Sequence, residues 1–146
     1  GNGWMFLVFA FLLQNYYGKL IFPWICLLCG ILTTAATIYF YPPNTRLLGA
    51  SGMIYSMVAI WLVFFMKFDT RYSLPVRFVR AVAFILVILF PSEIKPQTSY
   101  SAHALGFIIG AIFALIFLPL VPKKVQTKSL QQDALVRLDK TSENVE

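Results

Sequence analysis

Ser51 and His103 are the two side chains of this sequence whose types fit them for covalent chemistry together. Ser51 lies in Gly49-Ala50-Ser51-Gly52 at the start of a long apolar run, and His103, the only histidine, begins another. A serine hydroxyl becomes an effective nucleophile only when a neighbouring base takes its proton. If both runs are helices that begin at the same end of a bundle, the pair predicts acyl transfer by a serine–histidine dyad.

The composition indicates that these runs lie in a membrane. Hydrophobic residues make up 59% of the 146 residues and charged residues only 12%, which excludes an ordinary soluble domain. The net charge of +6 does not indicate a nucleic-acid partner, because the basic residues lie mainly between or after the apolar runs. We predict an all-α fold, a polytopic transmembrane helical bundle whose surroundings are the lipid bilayer.

Five apolar segments in the membrane domain, residues 1–121, predict five spans. The segments are residues 4–17, 20–40 with an interruption at Pro23, 51–66, 76–90 and 102–121. The third is short, because a helix over residues 51–66 rises only about 24 Å, against roughly 30 Å of hydrocarbon. We therefore expect Ser51 to face a water-filled pocket below the membrane surface, with the loop 41–48 dipping inward.

The charged joints predict the orientation of the chain. The basic residues collect on one side, which we assign to the cytoplasm, or to the matrix or stroma of an organelle. That side carries Lys19, the joint from Lys67 to Arg80 and Lys123-Lys124, whereas the other carries Arg46, Lys95 and Glu93. Ser51 and His103 then lie at the outer ends of their helices. Residues 122–146 are predicted to be a polar, mostly disordered tail on the cytoplasmic side.

Two spacings favour a close approach of serine and histidine. Tyr55 follows Ser51 by four residues, so it lies on the same helix face one turn deeper and is placed to pack against the imidazole. Gly106 and Gly110 form a smooth strip that lets the histidine's helix press against the other helix. Each motif taken alone has a purely structural interpretation: small residues for helix packing, and a histidine hydrogen-bonded between helices.

An acyl-transfer site also needs donors for the developing oxyanion. The backbone amide of Ser51, at a helix N-terminus, is one candidate, and the side chain of Asn2 is another unless it only caps its helix. No cofactor or metal is expected. Cys26 and Cys29, which lie within an apolar run, are interpreted as small packing residues.

These motifs resemble the rhomboid family of intramembrane serine proteases over residues 2 to about 121. The family carries Gly-x-Ser-Gly with a tyrosine four residues after the serine, and a histidine followed by Gly-x-x-x-Gly. The matching residues are Gly49, Ser51, Gly52, Tyr55, His103, Gly106 and Gly110.

The resemblance also implies what the chain lacks. Asn2 matches the asparagine of the family's His-x-x-x-Asn pair at the oxyanion site, and the histidine of that pair would precede Gly1. The first core helix would precede Gly1 as well, so the chain is expected to be a rhomboid fragment with five of six core helices. Gln14 stands where a glutamate is common.

By this resemblance, Ser51 attacks the scissile carbonyl and His103 acts as base and then as acid. The substrates would be single-span membrane proteins, cut near the outer surface at small residues in a helix that unwinds easily. The joint 91–102 corresponds to a mobile cap loop over the site. Two alternatives remain: an inactive rhomboid-like protein that binds and escorts membrane clients, and a subunit of a transporter or channel.

Overall fold

The computed structural model describes residues 2–42, 50–69, 71–89, 100–121 and 135, and this part of the chain contains helices and no strand. The helices are α1 (Asn2–Phe40), α2 (Ser51–Phe68), α3 (Leu74–Leu89), α4 (Tyr100–Phe117) and a 3-10 helix (Leu118–Leu120). The all-α class therefore agrees with the prediction. Most of the inward loop, the cap loop and the polar tail lie outside the described residues, as do Gly49 and the charged residues predicted in those segments.

Helix α1 consists of two arms that meet at Gly18. Gly18 has φ 79° and ψ 167°, a combination open almost only to glycine, and it separates residues 2–17 from residues 19–40. The break lies where the sequence predicts the boundary between the first two segments. Pro23 was expected to interrupt the second segment but lies inside the helix. Because it stands close to the start of the second arm, its missing N–H removes a hydrogen bond only near the helix end.

The second arm of α1 runs back along α2. The Tyr16 ring, just before the break, stacks on Phe68 at the C-terminal end of α2, with 6.0 Å between centroids. Gly30, in the second arm, lies against Met53 near the N-terminal end of α2, where an added methyl group would be 3.1 Å from Met53 Cβ. The chain therefore reverses direction at the break, and the two arms form a helical hairpin.

Helix α2 is the centre of the bundle and contacts α1, α3 and α4. The Phe9 ring of the first arm meets Trp61 at 5.9 Å and Phe84 of α3 at 6.1 Å, in edge-to-face geometry. Since Phe9 meets α2 earlier along that helix than Tyr16 does, the first arm runs parallel to α2 and begins near the Ser51 end. The fully buried side chains of α2 are Ile54, Ser56, Met57, Val58, Ala59, Ile60 and Phe64.

Helix α2 is two residues longer than predicted and ends at Phe68 instead of residue 66. Arg77 of α3 donates from Nη1 to the Met66 carbonyl oxygen at 2.7 Å, and Lys67 lies in the last turn. Cations near a C-terminus stabilise the exposed carbonyl groups, which accounts for the extension. At about 1.5 Å per residue the helix still rises only about 27 Å.

In the part of the chain that the structure describes, three helical stretches are long and apolar enough to cross a membrane: Phe22–Phe40, Ser51–Phe68 and Tyr100–Phe117. Helix α3 has 16 residues, slightly below the usual minimum, so length and apolarity do not establish five spans. The outer surface is apolar, with Trp24, Val87 and Leu115 exposed by 71%, 79% and 64%. Such a surface fits lipid rather than water, as expected of an integral membrane protein.

Candidate active site

The N-terminus of α2 presents backbone N–H groups without intrahelical acceptors. Ala50 is the N-cap with φ −83° and ψ 13°, and no side chain caps this end within the described residues. The first bond of the helix runs from the Ile54 amide to the Ala50 carbonyl oxygen at 3.1 Å. The amides of Ser51, Gly52 and Met53 precede that bond, so they are available to an acceptor such as a carbonyl oxygen that gains negative charge.

Helix α4 packs directly on α2 through its two glycines. A methyl group at Gly106 would overlap the carbonyl group of Gly52, and one at Gly110 would lie 2.6 Å from Ser56 Cα. The four-residue step on α4 therefore matches a four-residue step on α2 in the same direction. The two helices are parallel, and their N-terminal ends, with Ser51 and His103, lie at the same end of the bundle.

His103 is held between two tyrosine rings. Its imidazole stacks on Tyr55 with 4.1 Å between centroids and 10° between ring planes. Tyr100 meets it edge-on at 6.3 Å and 82°. Because Tyr55 follows Ser51 by one helical turn, about 6 Å along the axis, this stack brings the histidine close to the serine on the neighbouring helix.

Ser51 and His103 are both half-buried, and they do not form a hydrogen bond with each other among the described residues. The Tyr55 stack and the glycine contacts place His103 on α4 beside the first turns of α2, where Ser51 is the first residue. A nucleophile and its base often tighten to hydrogen-bond distance only when substrate is bound. The serine and the histidine therefore lie at the same end of two neighbouring helices.

The candidate oxyanion residue Asn2 is less closely placed. It begins the first arm of α1 and is exposed, and no hydrogen bond joins it to another described residue. The arm begins at the Ser51 end of α2, as its Phe9 contact shows. Asn2 therefore lies toward the Ser51 end of the bundle, without a hydrogen bond to Ser51 or His103 among the described residues.

A cluster of buried hydroxyl groups beneath the site was not predicted. Ser56 Oγ donates to the Gly106 carbonyl oxygen at 2.8 Å and lies 3.3 Å from Thr33 Oγ1. Thr33 in turn donates to the Cys29 carbonyl oxygen at 2.7 Å. The sequence feature that could have revealed this cluster is the four-residue spacing from Gly52 to Ser56. This spacing places Ser56 on the face of α2 that the glycines of α4 approach.

A second unpredicted link fixes the start of α4. The hydroxyl groups of Tyr41 and Ser101 form a hydrogen bond, which joins the end of α1 to the residue two positions before His103. Tyr100, on the other side of Ser101, is the edge-on neighbour of the imidazole. The sequence signal for Tyr100 was its spacing of three residues from His103, which places both on one helix face.

An open, mostly apolar groove of about 240 Å³ flanks the head of α2 on its α1 side. Its lining residues are Leu27, Gly30, Ile31, Thr34, Ala50, Gly52 and Met53. Ala50 and Gly52 are the immediate neighbours of Ser51, so the groove offers apolar volume next to the serine.

The comparisons with known proteins agree with this architecture. A family model described as the Rhomboid domain matches residues 1–120, which include every described helix from α1 to α4. The comparison with curated proteins gave no match, and the comparison with solved structures gave none. Rhomboid proteins are generally intramembrane serine proteases. Since the match covers most of the chain, this protein belongs to the rhomboid family.

Proposed function

We propose that this protein is an intramembrane serine endopeptidase in which Ser51 is the nucleophile and His103 the general base. The observation that carries the proposal is the stack of the only histidine on Tyr55, one turn from Ser51, at 4.1 Å. A polar, ionisable side chain inside an apolar bundle is rarely retained without a function.

The first half-reaction begins when Ser51 Oγ attacks the carbonyl carbon of the scissile bond. His103 takes the hydroxyl proton as the new C–O bond forms, and the carbonyl oxygen becomes an oxyanion. The backbone amides at the head of α2 donate to that oxyanion, and we assign the Asn2 side chain as a further donor. The tetrahedral intermediate collapses as the C–N bond breaks, and His103 gives its proton to the leaving amine.

The second half-reaction is the hydrolysis of the Ser51 ester. Water attacks the acyl carbonyl carbon, and His103 takes a proton from the water. The C–O bond to Ser51 breaks, the proton returns to Ser51 Oγ, and the carboxylic acid product leaves. Water must therefore reach the head of α2, and a helix of about 27 Å that ends below the membrane surface permits this.

The substrates that fit this site are single transmembrane segments. An intact helix hides its carbonyl groups in internal hydrogen bonds, so the segment must unwind at the scissile bond before Ser51 can attack it. Small side chains at the cut suit a nucleophile that lies between closely packed helices. We assign the Ser51 end of the bundle to the outer side, with five spans and the C-terminal tail on the cytoplasmic side.

Labelling by a fluorophosphonate or isocoumarin probe tests the proposal. The protein in detergent should label covalently, whereas Ser51→Ala should not label and His103→Ala should label far more slowly. Ser73→Ala, at an exposed serine between α2 and α3, is the matched control and should label like the wild type. Equal labelling of the wild type and Ser51→Ala would show that the protease assignment is wrong.

The alternative assignment, an inactive rhomboid-like protein that escorts membrane clients, predicts a different result. Such a protein would not react with the probes, and single-span clients would co-purify intact with the wild type and with Ser51→Ala alike. A protease should instead release two fragments of a single-span substrate, and Ser51→Ala should retain that substrate uncut.

A further inference from the structure

The Ser56 hydroxyl has one proton and three oxygen neighbours. It is fully buried, and the neighbours are the Gly106 carbonyl oxygen at 2.8 Å, the Gly52 carbonyl oxygen at 3.1 Å and Thr33 Oγ1 at 3.3 Å. Thr33 gives its own proton to the Cys29 carbonyl oxygen at 2.7 Å. Only the Gly106 distance lies near the optimum for an O–H···O bond, so the Ser56 proton crosses from α2 to α4.

The Ser56 hydroxyl does not need this hydrogen bond to α4 in order to have an acceptor for its proton. A serine inside a helix can donate to the carbonyl four residues earlier, which here is that of Gly52. The hydroxyl instead reaches a carbonyl one turn beyond His103 on the neighbouring helix. It therefore ties α2 to α4 immediately below the stacked Tyr55–His103 pair.

The glycine contacts and the hydrogen bond have different effects on the two helices. Gly106 and Gly110 remove side chains and so allow the backbones to approach, but a smooth apolar strip tolerates sliding along the axis. A hydrogen bond at 2.8 Å has one short, directional geometry, so it selects one axial register. The register sets how far along α2 the imidazole of His103 lies.

We propose that Ser56 is a positioning residue for the dyad: its hydroxyl fixes the register of α4 on α2 and thereby holds His103 over Tyr55. This inference rests on the proposed function for its catalytic consequence, whereas the positioning itself is a property of the fold. Ser56 does not touch the reacting atoms, so its loss should displace the base rather than remove it.

The imidazole signal of His103 gives a test that does not need activity. In the 146-residue chain purified without a polyhistidine tag, His103 contributes the one histidine signal of this sequence in a nitrogen-edited NMR spectrum. Stacking on Tyr55 shifts that signal by the ring current, and Tyr55→Leu supplies the unstacked reference position. Ser56→Ala should move the signal toward that reference.

Thr37→Ala is the matched control for the loss of a buried hydroxyl. Thr37 donates to the Thr33 carbonyl oxygen at 2.7 Å within its own helix, so its loss breaks no link between helices. It should leave the His103 signal in place. An unmoved signal in Ser56→Ala, or an equal movement in Thr37→Ala, would overturn the inference.

Turnover supplies the second readout. Ser56→Ala should lower kcat by up to about 100-fold with little change in KM, as expected when a catalytic group is misplaced by about 1 Å. Thr37→Ala should keep the kcat of the wild type even if both variants melt at a similarly lowered temperature. A fall in kcat that follows the melting temperature in both variants would reduce Ser56 to an ordinary packing residue.

Ser56→Cys keeps the inference testable if Ser56→Ala does not fold. Cysteine is close in size and is a weaker donor, so the His103 signal of Ser56→Cys should move part of the way toward the Tyr55→Leu reference, and its kcat should fall below that of the wild type. The two proposals can fail separately. If the wild-type protein cleaves nothing, the proposed function is refuted. If the His103 signal still moves in Ser56→Ala or Ser56→Cys and not in Thr37→Ala, the positioning role remains.

Discussion

At the scale of single residues, the Tyr55 ring determines where the imidazole lies. The two rings are nearly parallel, at 10°, and close enough for full contact at 4.1 Å. The ring face, rather than the phenol hydroxyl, makes this contact. The role that we propose for Tyr55 is therefore to limit the orientations of His103, and not to transfer protons.

This role makes a specific prediction for two substitutions. Tyr55→Phe keeps the ring and should retain most of kcat. Tyr55→Leu removes the ring, and the loss of an aromatic pair worth about 0.5–1.5 kcal/mol should lower kcat roughly 2- to 10-fold. Steady-state cleavage of a single-span substrate measures both variants. Equal activity of Tyr55→Leu and Tyr55→Phe would argue against a positioning ring.

The residues that carry the candidate chemistry, and the tyrosine and glycines that pack around them, were accessible from the sequence, whereas the buried hydroxyl groups that link the helices were not. Ser51 and His103 stand out because they begin two apolar helices at the same end of the predicted bundle, and Tyr55 follows from helical spacing. Ser56 and Thr33 are polar but small, so in an apolar run they resemble ordinary packing residues. Only the distance from Ser56 to the Gly106 carbonyl, 2.8 Å, shows the link between helices.

At the scale of elements, the contact between α2 and α4 depends on the absence of a side chain at Gly106. A Cβ there would overlap the Gly52 carbonyl group, which is backbone and cannot rotate away. The helices would have to separate or slide, and the histidine would move with α4. The same substitution should therefore affect both stability and activity.

We expect Gly106→Ala to destabilise the bundle by about 1–3 kcal/mol, the usual range for overpacking, and to lower kcat in the fraction that remains folded. Gly3→Ala is the control, because a Cβ at Gly3 meets nothing within 4 Å. Thermal unfolding in detergent and substrate cleavage measure the two effects. A neutral Gly106→Ala would mean that the helices are not packed as closely as described.

The sequence predicted where the two arms of α1 begin and end, but not how they pack along α2. The sequence shows an apolar segment on either side of residues 18 and 19, and the structure breaks the helix at Gly18. The packing of both arms along α2 depends on rings distant in sequence, such as Tyr16 against Phe68. Periodicity within a segment carries no information on such partners, which is why only the segment limits could be predicted.

The joint between α2 and α3 makes a prediction for acid stability. Arg71 donates from Nε to Asp69 Oδ1 at 2.9 Å, and this hydrogen bond, together with the charge of Arg71, holds the pKa of Asp69 below its usual 3.8. A lowered folded-state pKa stabilises the fold fully above pH 3.8, and this stabilisation is lost as the pH falls through the folded-state value. The effect should be small, about 0.2–1 kcal/mol, because Arg71 is exposed.

Asp69→Asn should therefore lower the melting temperature slightly at pH 7 and leave it unchanged at about pH 2. Thermal unfolding of the two proteins across that pH interval measures the difference. A constant difference at both pH values would show that the ion pair is not its source.

At the scale of the whole molecule, the bundle combines a well-packed centre with an apolar exterior. The side chains of α2 fill the centre, whereas Trp24 and Leu115 point outward with more than half of their surface exposed. The N-terminal end of α2 carries Ser51, and the C-terminal end carries Lys67. A membrane would therefore separate the candidate site from the basic joint between α2 and α3.

This separation leads to the prediction that Tyr39 and Ser73 lie on opposite sides of the membrane. Tyr39, which is 84% exposed, lies in the last turn of the second arm of α1 at the Ser51 end, and Ser73 is exposed in the joint that follows Lys67. Basic joints stay in the cytoplasm, so a membrane-impermeant maleimide applied to intact cells should label Tyr39→Cys and not Ser73→Cys. After permeabilisation both should label.

The native thiols give the background for this experiment. Cys26 and Cys29 are free and buried, so the wild-type protein should label weakly before and after permeabilisation. If Ser73→Cys were labelled in intact cells and Tyr39→Cys were not, the orientation of the protein in the membrane would be the opposite of the one proposed. The candidate site would then face the cytoplasm, and its substrates would be cut near the inner rather than the outer surface.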